Sequence, residues 1–318
     1  MNLMSLSEVL DRSINTLRKN LKNIILFNLV YSVISGIIAF ILIIIGIITA
    51  AFTTILSPSS VGVVISTSLI ILIIATFVIS IKVGIIKISA QQYTGEKISV
   101  QNALTSSLIS LPKIFVILLL ASIVFSPVIF VFWKLIIWMM ESVDLYLFEF
   151  GIEIVKWMSI IIIPLLMILI SLFIVLIYYT LFSFSFQVAT IEKKGPLASI
   201  KRSFILVKKN FWKMVGYNLI FILTVMGIRY SLQSLVGLIL GIIYLVGKLF
   251  SINQDYNILL ASLYGVLSWP INILTWLIVS PIGGIMSTLL YFNQRFKKEG
   301  LDIELKLKVL ENTMKGSN

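Results

Sequence analysis

Between Lys22 and Lys82 no residue carries a charge. That stretch holds two long apolar runs, Ile24–Leu56 and Val61–Ile81. A helix apolar on every side needs a buried or lipid environment. About 20 apolar residues suffice to cross a hydrocarbon layer about 30 Å thick. Four further runs meet that length: Ile114–Trp133, Ser159–Thr190, Phe211–Ile228 with a continuation to Gly247, and Ile258–Phe292. The expected fold is all-α, a polytopic integral membrane protein of about six transmembrane helices. As a helix, Ile24–Leu56 would reach about 50 Å, more than tilt alone absorbs. Kinks, or ends that project past the membrane, are expected.

Charged residues make up 12% of the chain, about half the share in a soluble domain. A soluble enzyme, a disordered chain and a nucleic-acid-binding domain are all excluded on that ground. Cys and His are absent. No disulfide, thiolate nucleophile or Cys/His metal site is available, and the usual general base near neutral pH is missing. The 13 acidic residues fall in connections, tails or interfacial segments. No catalytic residue, metal or cofactor is therefore expected, and no enzyme. Met1–Asn23 is polar-patterned, and the run after it is too long for the apolar part of a signal peptide. It is expected to be a retained first span.

Basic residues in short connections set orientation. With the N-terminus cytoplasmic, four basic residues (Lys134, Lys156, Arg229, Lys248) face outward against five acids (Glu141, Asp144, Glu149, Glu153, Asp255). The inner side then holds 21 basic and eight acidic residues. This asymmetry favours an even number of spans, both termini cytoplasmic, in the cell membrane. Splitting Phe211–Gly247 at Arg229 and Ile258–Phe292 at Pro270 would give eight spans instead of six. Trp133, Trp138 and Trp157 fall near the outer boundary and Trp212 at the inner one, as an interfacial belt would.

The chain also resembles itself. Shifted by 190 positions, Arg12-Ser13, Lys19-Asn20 and Asn28-Leu29 fall on Arg202-Ser203, Lys209-Asn210 and Asn218-Leu219. A weaker copy, shifted by 96, sets Glu96-Lys97, Ser107, Lys113 and Phe115 on Glu192-Lys193, Ser203, Lys209 and Phe211. Leu10, Ile14, Leu17 and Leu21 match Leu104, Leu108, Leu111 and Phe115, and Ile200, Phe204, Val207 and Phe211. This spacing is one face of a helix. Ser5 and Glu8 form a candidate capping box, and Pro196 suits a first helical turn. The expected unit is a cytoplasmic interfacial amphipathic helix followed by two spans. Three such pseudo-repeats, about 5–95, 98–190 and 196–292, make one membrane domain over 1–318, with 293–318 a cytoplasmic tail. The repeats are parallel, whereas alternating-access transporters more often carry inverted ones.

Lys201, Arg202, Lys208, Lys209 and Lys213 make the third interfacial helix basic. They are candidate contacts to anionic lipid headgroups, with a plain topology anchor and a partner-protein contact as alternatives. Within the spans, Asn28, Asn218 and the equivalent Ser122 form one candidate polar cluster, joined by Asn272. Bonding of each to a neighbouring helix is the other reading. Pro270, Pro281, Gly283 and Gly284 mark kinks in the last span, either to line a site or to permit close packing.

The segment Leu197-Ala-Ser-Ile-Lys-Arg-Ser-Phe-Ile-Leu-Val-Lys-Lys-Asn-Phe-Trp212 and the closing Thr288-Leu-Leu-Tyr-Phe-Asn-Gln-Arg-Phe-Lys-Lys-Glu-Gly300 resemble the membrane domain associated with bacterial glycerophosphoryl diester phosphodiesterases. In fused members the hydrolysis belongs to a separate soluble barrel with His and metal-binding carboxylates. This chain has no His, so the resemblance implies an accessory membrane module and no phosphodiesterase. Two functions follow as expectations. One is a non-catalytic module that interacts with membrane lipids or a membrane-protein partner, and not with nucleic acid. The other is a permease for a small amphiphile, which requires a polar cavity around Asn28, Asn218 and Asn272.

Overall fold

A computed structural model describes residues 5–56, 60–95, 98–149, 153–249, 255–300 and 303. They form ten helices and, among the described residues, no strand. Six are long: α2 (Leu21–Leu56), α3 (Ser60–Thr94), α5 (Leu111–Glu149), α6 (Glu153–Phe182), α9 (Phe211–Leu249) and α10 (Asp255–Glu299). Each contains a stretch long and apolar enough to cross a membrane, so the chain is a multi-span membrane protein. Three shorter helices precede the first member of each long pair: α1 (Leu6–Lys19), α4 (Val100–Ile109) and α8 (Pro196–Lys208). A one-residue break separates α1 from α2 and α4 from α5. A further short helix, α7 (Ser185–Ile191), follows α6. Glu96-Lys97, the loop after α5 and nearly all of the tail beyond Gly300 lie outside the described residues, as do the side chains of Glu141–Lys156.

Helix–helix packing closes on itself. Helix α2 packs on α3, α3 on α5, α5 on α6, α6 on α9, α9 on α10, and α10 on α2, while α10 also packs on α3 across the ring. The short helices lean on the preceding long one: α4 on α3 and α8 on α6 and α7. Helix α1 leans on α10. The three short helices form a collar at one end of the bundle. The first described helix and the end of the last share that end: α1 packs on α10, Tyr93 at the end of α3 meets the Phe292 ring at a tilt and the Phe296 ring edge-on, and Arg202 pairs with Glu299.

Most of the core sits at the collar end. Val9, Leu17, Ile24, Phe27, Tyr31, Ile85, Phe184, Val207, Met214, Ile285 and Leu289 belong to one buried cluster. Two glycines bring the helices together there. A β-carbon on Gly84 would meet the Phe27 ring at 2.1 Å, and one on Gly284 would meet Ile85 at 2.9 Å. Away from the collar the helices expose Ile37, Phe40, Leu223 and Met226. Such faces suit lipid, which needs no hydrogen bonds from them.

The structure corrects several boundaries. Helix α3 continues past Ile81 to Thr94, so Lys82 lies inside a helix and not in a connection. Helix α9 is continuous through Arg229, and α10 runs through both Pro270 and Pro281 to Glu299, absorbing the first residues of the expected tail. Six long helices result, not eight. They hold 30 to 45 residues each, about 45 to 68 Å. The excess over the hydrocarbon thickness applies to every span.

Candidate functional site: the basic collar and the polar seam beneath it

The collar helices begin as their sequences require. Ser5 Oγ accepts the Glu8 backbone N–H at 3.2 Å, and Ser99 Oγ accepts that of Asn102 at 3.2 Å. Each satisfies an N–H that a helix start leaves unpaired. The Glu8 carboxylate does not close the box; it accepts from Arg12 Nη2 at 2.6 Å. Pro196 opens α8, where its missing N–H costs nothing.

The expected face is buried only in part. Leu17 and Val207 of the predicted apolar stripe lie in the core, but Ile14, Leu108 and Phe204 on the same stripe are exposed. One position earlier, Ser13, Ser107 and Ser203 are fully buried, as are Ala103 and Ser199. Small side chains let helices approach closely, while lipid accepts the large apolar ones. Ser203 is fixed twice: its Oγ donates to Leu181 O at 2.7 Å and accepts from Phe184 N at 3.2 Å. Ser13 Oγ donates to Val9 O at 2.6 Å, whereas Ser107 Oγ has no partner among the described residues.

The basic residues of α8 and the start of α9 divide. Lys201, Lys208, Lys209 and Lys213 are exposed, and the Lys213 ammonium lies 5.7 Å from the Tyr217 ring. Beside them Leu197 (71% exposed), Ile205 (53%) and Trp212 (67%) are also open. Arg202 turns inward instead. It pairs with Glu299 and, at 3.4 Å, with Glu192. It is corrected from a lipid contact to a structural ion-pair residue, because carboxylates distant in sequence reach it. Glu192 also meets Lys194 at 2.7 Å, Arg295 at 3.9 Å and the Tyr291 hydroxyl at 2.6 Å. Burial alone would raise the Glu192 pKa. The Lys194 and Tyr291 hydrogen bonds and the Arg202 and Arg295 charges outweigh it and hold the carboxyl below its ordinary value. Lys298 donates to Leu206 O at 2.5 Å and Ile205 O at 3.2 Å, capping the end of α8.

Between α1 and α3 a cavity of about 410 Å3 opens at the collar, lined by Arg12, Lys19, Asn20, Ser89, Gln91 and Gln92 among others. Gln91 Nε2 donates to Asn20 Oδ1 at 2.6 Å.

The four intramembrane polar candidates have separate partners. Asn28 Nδ2 donates to Leu277 O and Ser280 Oγ of α10, both at 3.1 Å. Asn218 Nδ2 donates to Thr180 Oγ1 of α6 at 3.0 Å. Ser122 is exposed and bonds Leu119 O in its own helix. Asn272 Oδ1 accepts from Gln233 Nε2 at 2.5 Å. None bonds another of the four. Gly284 serves close packing against Ile85, and Gly283 has only an ordinary contact, Val225 at 4.0 Å.

Sequence reasoning missed Lys82. Its ammonium lies 5.9 Å from the Tyr179 ring and 6.0 Å from the Phe186 ring. It lines a cavity of about 70 Å3 where α3, α6, α7 and α10 meet, with Ser183, Gln187 and Ser287. Gln187, 2% exposed, donates to Ser287 Oγ at 3.0 Å. The usable signal was Val83–Ala90, which continues the apolar helix beyond the first charge.

Among the described residues no group of three or more Asp or Glu is placed to hold a metal ion. Neither a curated protein nor a solved structure matches the chain. A family model does match residues 37–271, from within α2 to within α10, and the chain belongs to that family, described as a domain of unknown function, DUF7847.

Proposed function

We propose that this protein is a non-catalytic, multi-span module of the cell membrane whose collar lies on anionic lipid at the cytoplasmic face, with both termini on that side. One observation carries the reading: on α8 and the start of α9, exposed lysines alternate with exposed large apolar residues, Lys201 and Lys208 beside Leu197, Ile205 and Trp212. Water disfavours that mixture, whereas the boundary between headgroups and acyl chains accommodates both halves. Each lysine near an anionic surface adds about 1 kcal/mol.

Three copies of one short-long-long unit, closed into a ring, account for the collar. The self-similarity at shifts of 190 and 96, the matching burial of Ser13, Ser107 and Ser203, and the order of packing support this. The resemblance to the phosphodiesterase-associated membrane domain is taken as a relation between accessory modules, without the hydrolytic activity. The permease alternative is disfavoured by Asn28 and Asn218, which are buried and bonded to neighbouring helices.

The test is lipid selectivity of the full chain in mixed bilayers of phosphatidylglycerol and phosphatidylcholine. Enrichment of phosphatidylglycerol around the protein, lost when Lys201, Lys208, Lys209 and Lys213 are all changed to Gln, supports the reading. Equal enrichment in wild type and variant overturns it.

A further inference from the structure

We propose that a groove between α9 and α10, centred on Arg229, binds the phosphate of one glycerophospholipid in the leaflet away from the collar. The groove measures about 510 Å3 and is open to the surface. Arg229 and Gln233 line it from α9, and Ser268, Trp269, Asn272 and Trp276 from α10. The bond from Gln233 Nε2 to Asn272 Oδ1 gives it a polar floor. The exposed Trp269 and Trp276 give it apolar walls.

Arg229 carries a charge that the neighbouring helices do not offset. Helix α9 packs on α6, α8 and α10. Its own other charges are Lys213 and Lys248, and α8 holds only Lys201, Arg202 and Lys208. On α10, Asp255 is about 25 Å along the helix from Asn272, and Glu299 about 40 Å the other way, at about 1.5 Å per residue. Arg295, Lys297 and Lys298 share the Glu299 end. On α6, the bond from Asn218 to Thr180 sets the level, and Lys156 and Glu153 fall about 20 to 24 Å beyond the height of Arg229. A charge in or near hydrocarbon acquires a counter-charge, and α6, α8, α9 and α10 place none at the level of Arg229.

Depth identifies the counter-charge. Arg229 lies about 24 Å along α9 from Lys213, which sets it near the far boundary of a hydrocarbon layer about 30 Å thick. Exposed Tyr230, Trp269 and Trp276 surround it, as residues of an aromatic belt do at a membrane–water interface. Phosphates of lipid headgroups occupy that level. A guanidinium meets a phosphate with two parallel hydrogen bonds. The acyl chains would then run along Ile273, Met226 and Leu223, all exposed.

This proposal deepens the lipid reading but rests on a different surface and fails separately. The experiment is native mass spectrometry of the full chain in mild detergent, titrated with dioleoylphosphatidylglycerol. Dioleoylphosphatidylcholine, dioleoylglycerol and oleate form parallel arms. The variants are Arg229→Gln, Arg229→Lys and the fourfold collar variant, each accepted only with a wild-type unfolding midpoint. The expected result is one lipid adduct that Arg229→Gln weakens about tenfold, that Arg229→Lys partly restores, and that the collar variant retains. Both phospholipids should form it, and dioleoylglycerol should not. Identical adducts in wild type and Arg229→Gln overturn the proposal, as does retention of oleate or dioleoylglycerol in place of the phospholipids. Loss of the adduct only in the collar variant overturns it too, while leaving the collar reading intact.

Discussion

Gly284 of α10 lies against Ile85 of α3 so closely that a β-carbon would meet the Ile85 Cγ2 at 2.9 Å. Ile85 is buried and has little room to withdraw. Gly284→Ala is expected to destabilise the bundle by about 1–3 kcal/mol through overpacking. Gly84→Ala should do at least as much, since the added carbon would enter the buried Phe27 ring. Gly283→Ala, with only Val225 at 4.0 Å, should leave stability unchanged or slightly raised. Thermal unfolding of the three variants in detergent ranks them, and equal midpoints would contradict the packing described.

The serine seam makes a sharper comparison. Ser203→Ala removes a donor to Leu181 O and an acceptor for Phe184 N, leaving two polar groups unpaired at a cost of about 1–3 kcal/mol. Ser107→Ala removes a hydroxyl without a partner among the described residues and is expected to be near neutral or stabilising. Replacing either with Leu should prevent close approach and lower the midpoint strongly. Unfolding curves read both differences.

Much of this was legible beforehand, and the failures have a common cause. Six spans follow from the length of uncharged apolar runs, and the start of α8 from Pro196. Contacts between distant residues were not legible. Arg202 read as a lipid contact because Glu299, 97 residues away, is invisible to a local pattern. The predicted face of the collar helices is buried at Leu17 and Val207 but open at Ile14, Leu108 and Phe204, because an apolar stripe means core in water but also lipid contact in a membrane. Lys82 escapes notice because the apolar run Val61–Ile81 ends at the first charge, whereas the helix continues to Thr94. Arg229 and Asn272 each stand out in the sequence, but only the pairing of α9 with α10 joins them, with Gln233, in one groove.

The Glu192 network predicts a pH dependence. Its carboxyl is held below its ordinary value in the folded chain. The stabilisation is therefore present above the unfolded-state pKa, near 4.3, and is lost as pH falls through the folded value. The midpoint should fall from about pH 5 downward, with part of that slope absent in Glu192→Gln. At neutral pH the same variant should be less stable by about 1–3 kcal/mol, having lost charge-assisted bonds to Arg202 and Lys194. Parallel slopes in the two proteins would contradict the network's role.

The most direct test of the account asks on which side the collar lies. The chain contains no Cys, so a single introduced thiol reports without background. Asp11→Cys on α1, Asn102→Cys on α4 and Lys201→Cys on α8 are all at exposed positions, as is Leu249→Cys at the far end of α9. A membrane-impermeant maleimide added to intact cells should label Leu249→Cys alone, and the three collar thiols should react only once the cytoplasmic face is opened. Labelling of any collar position from outside, or of the three from different sides, would contradict a single cytoplasmic collar.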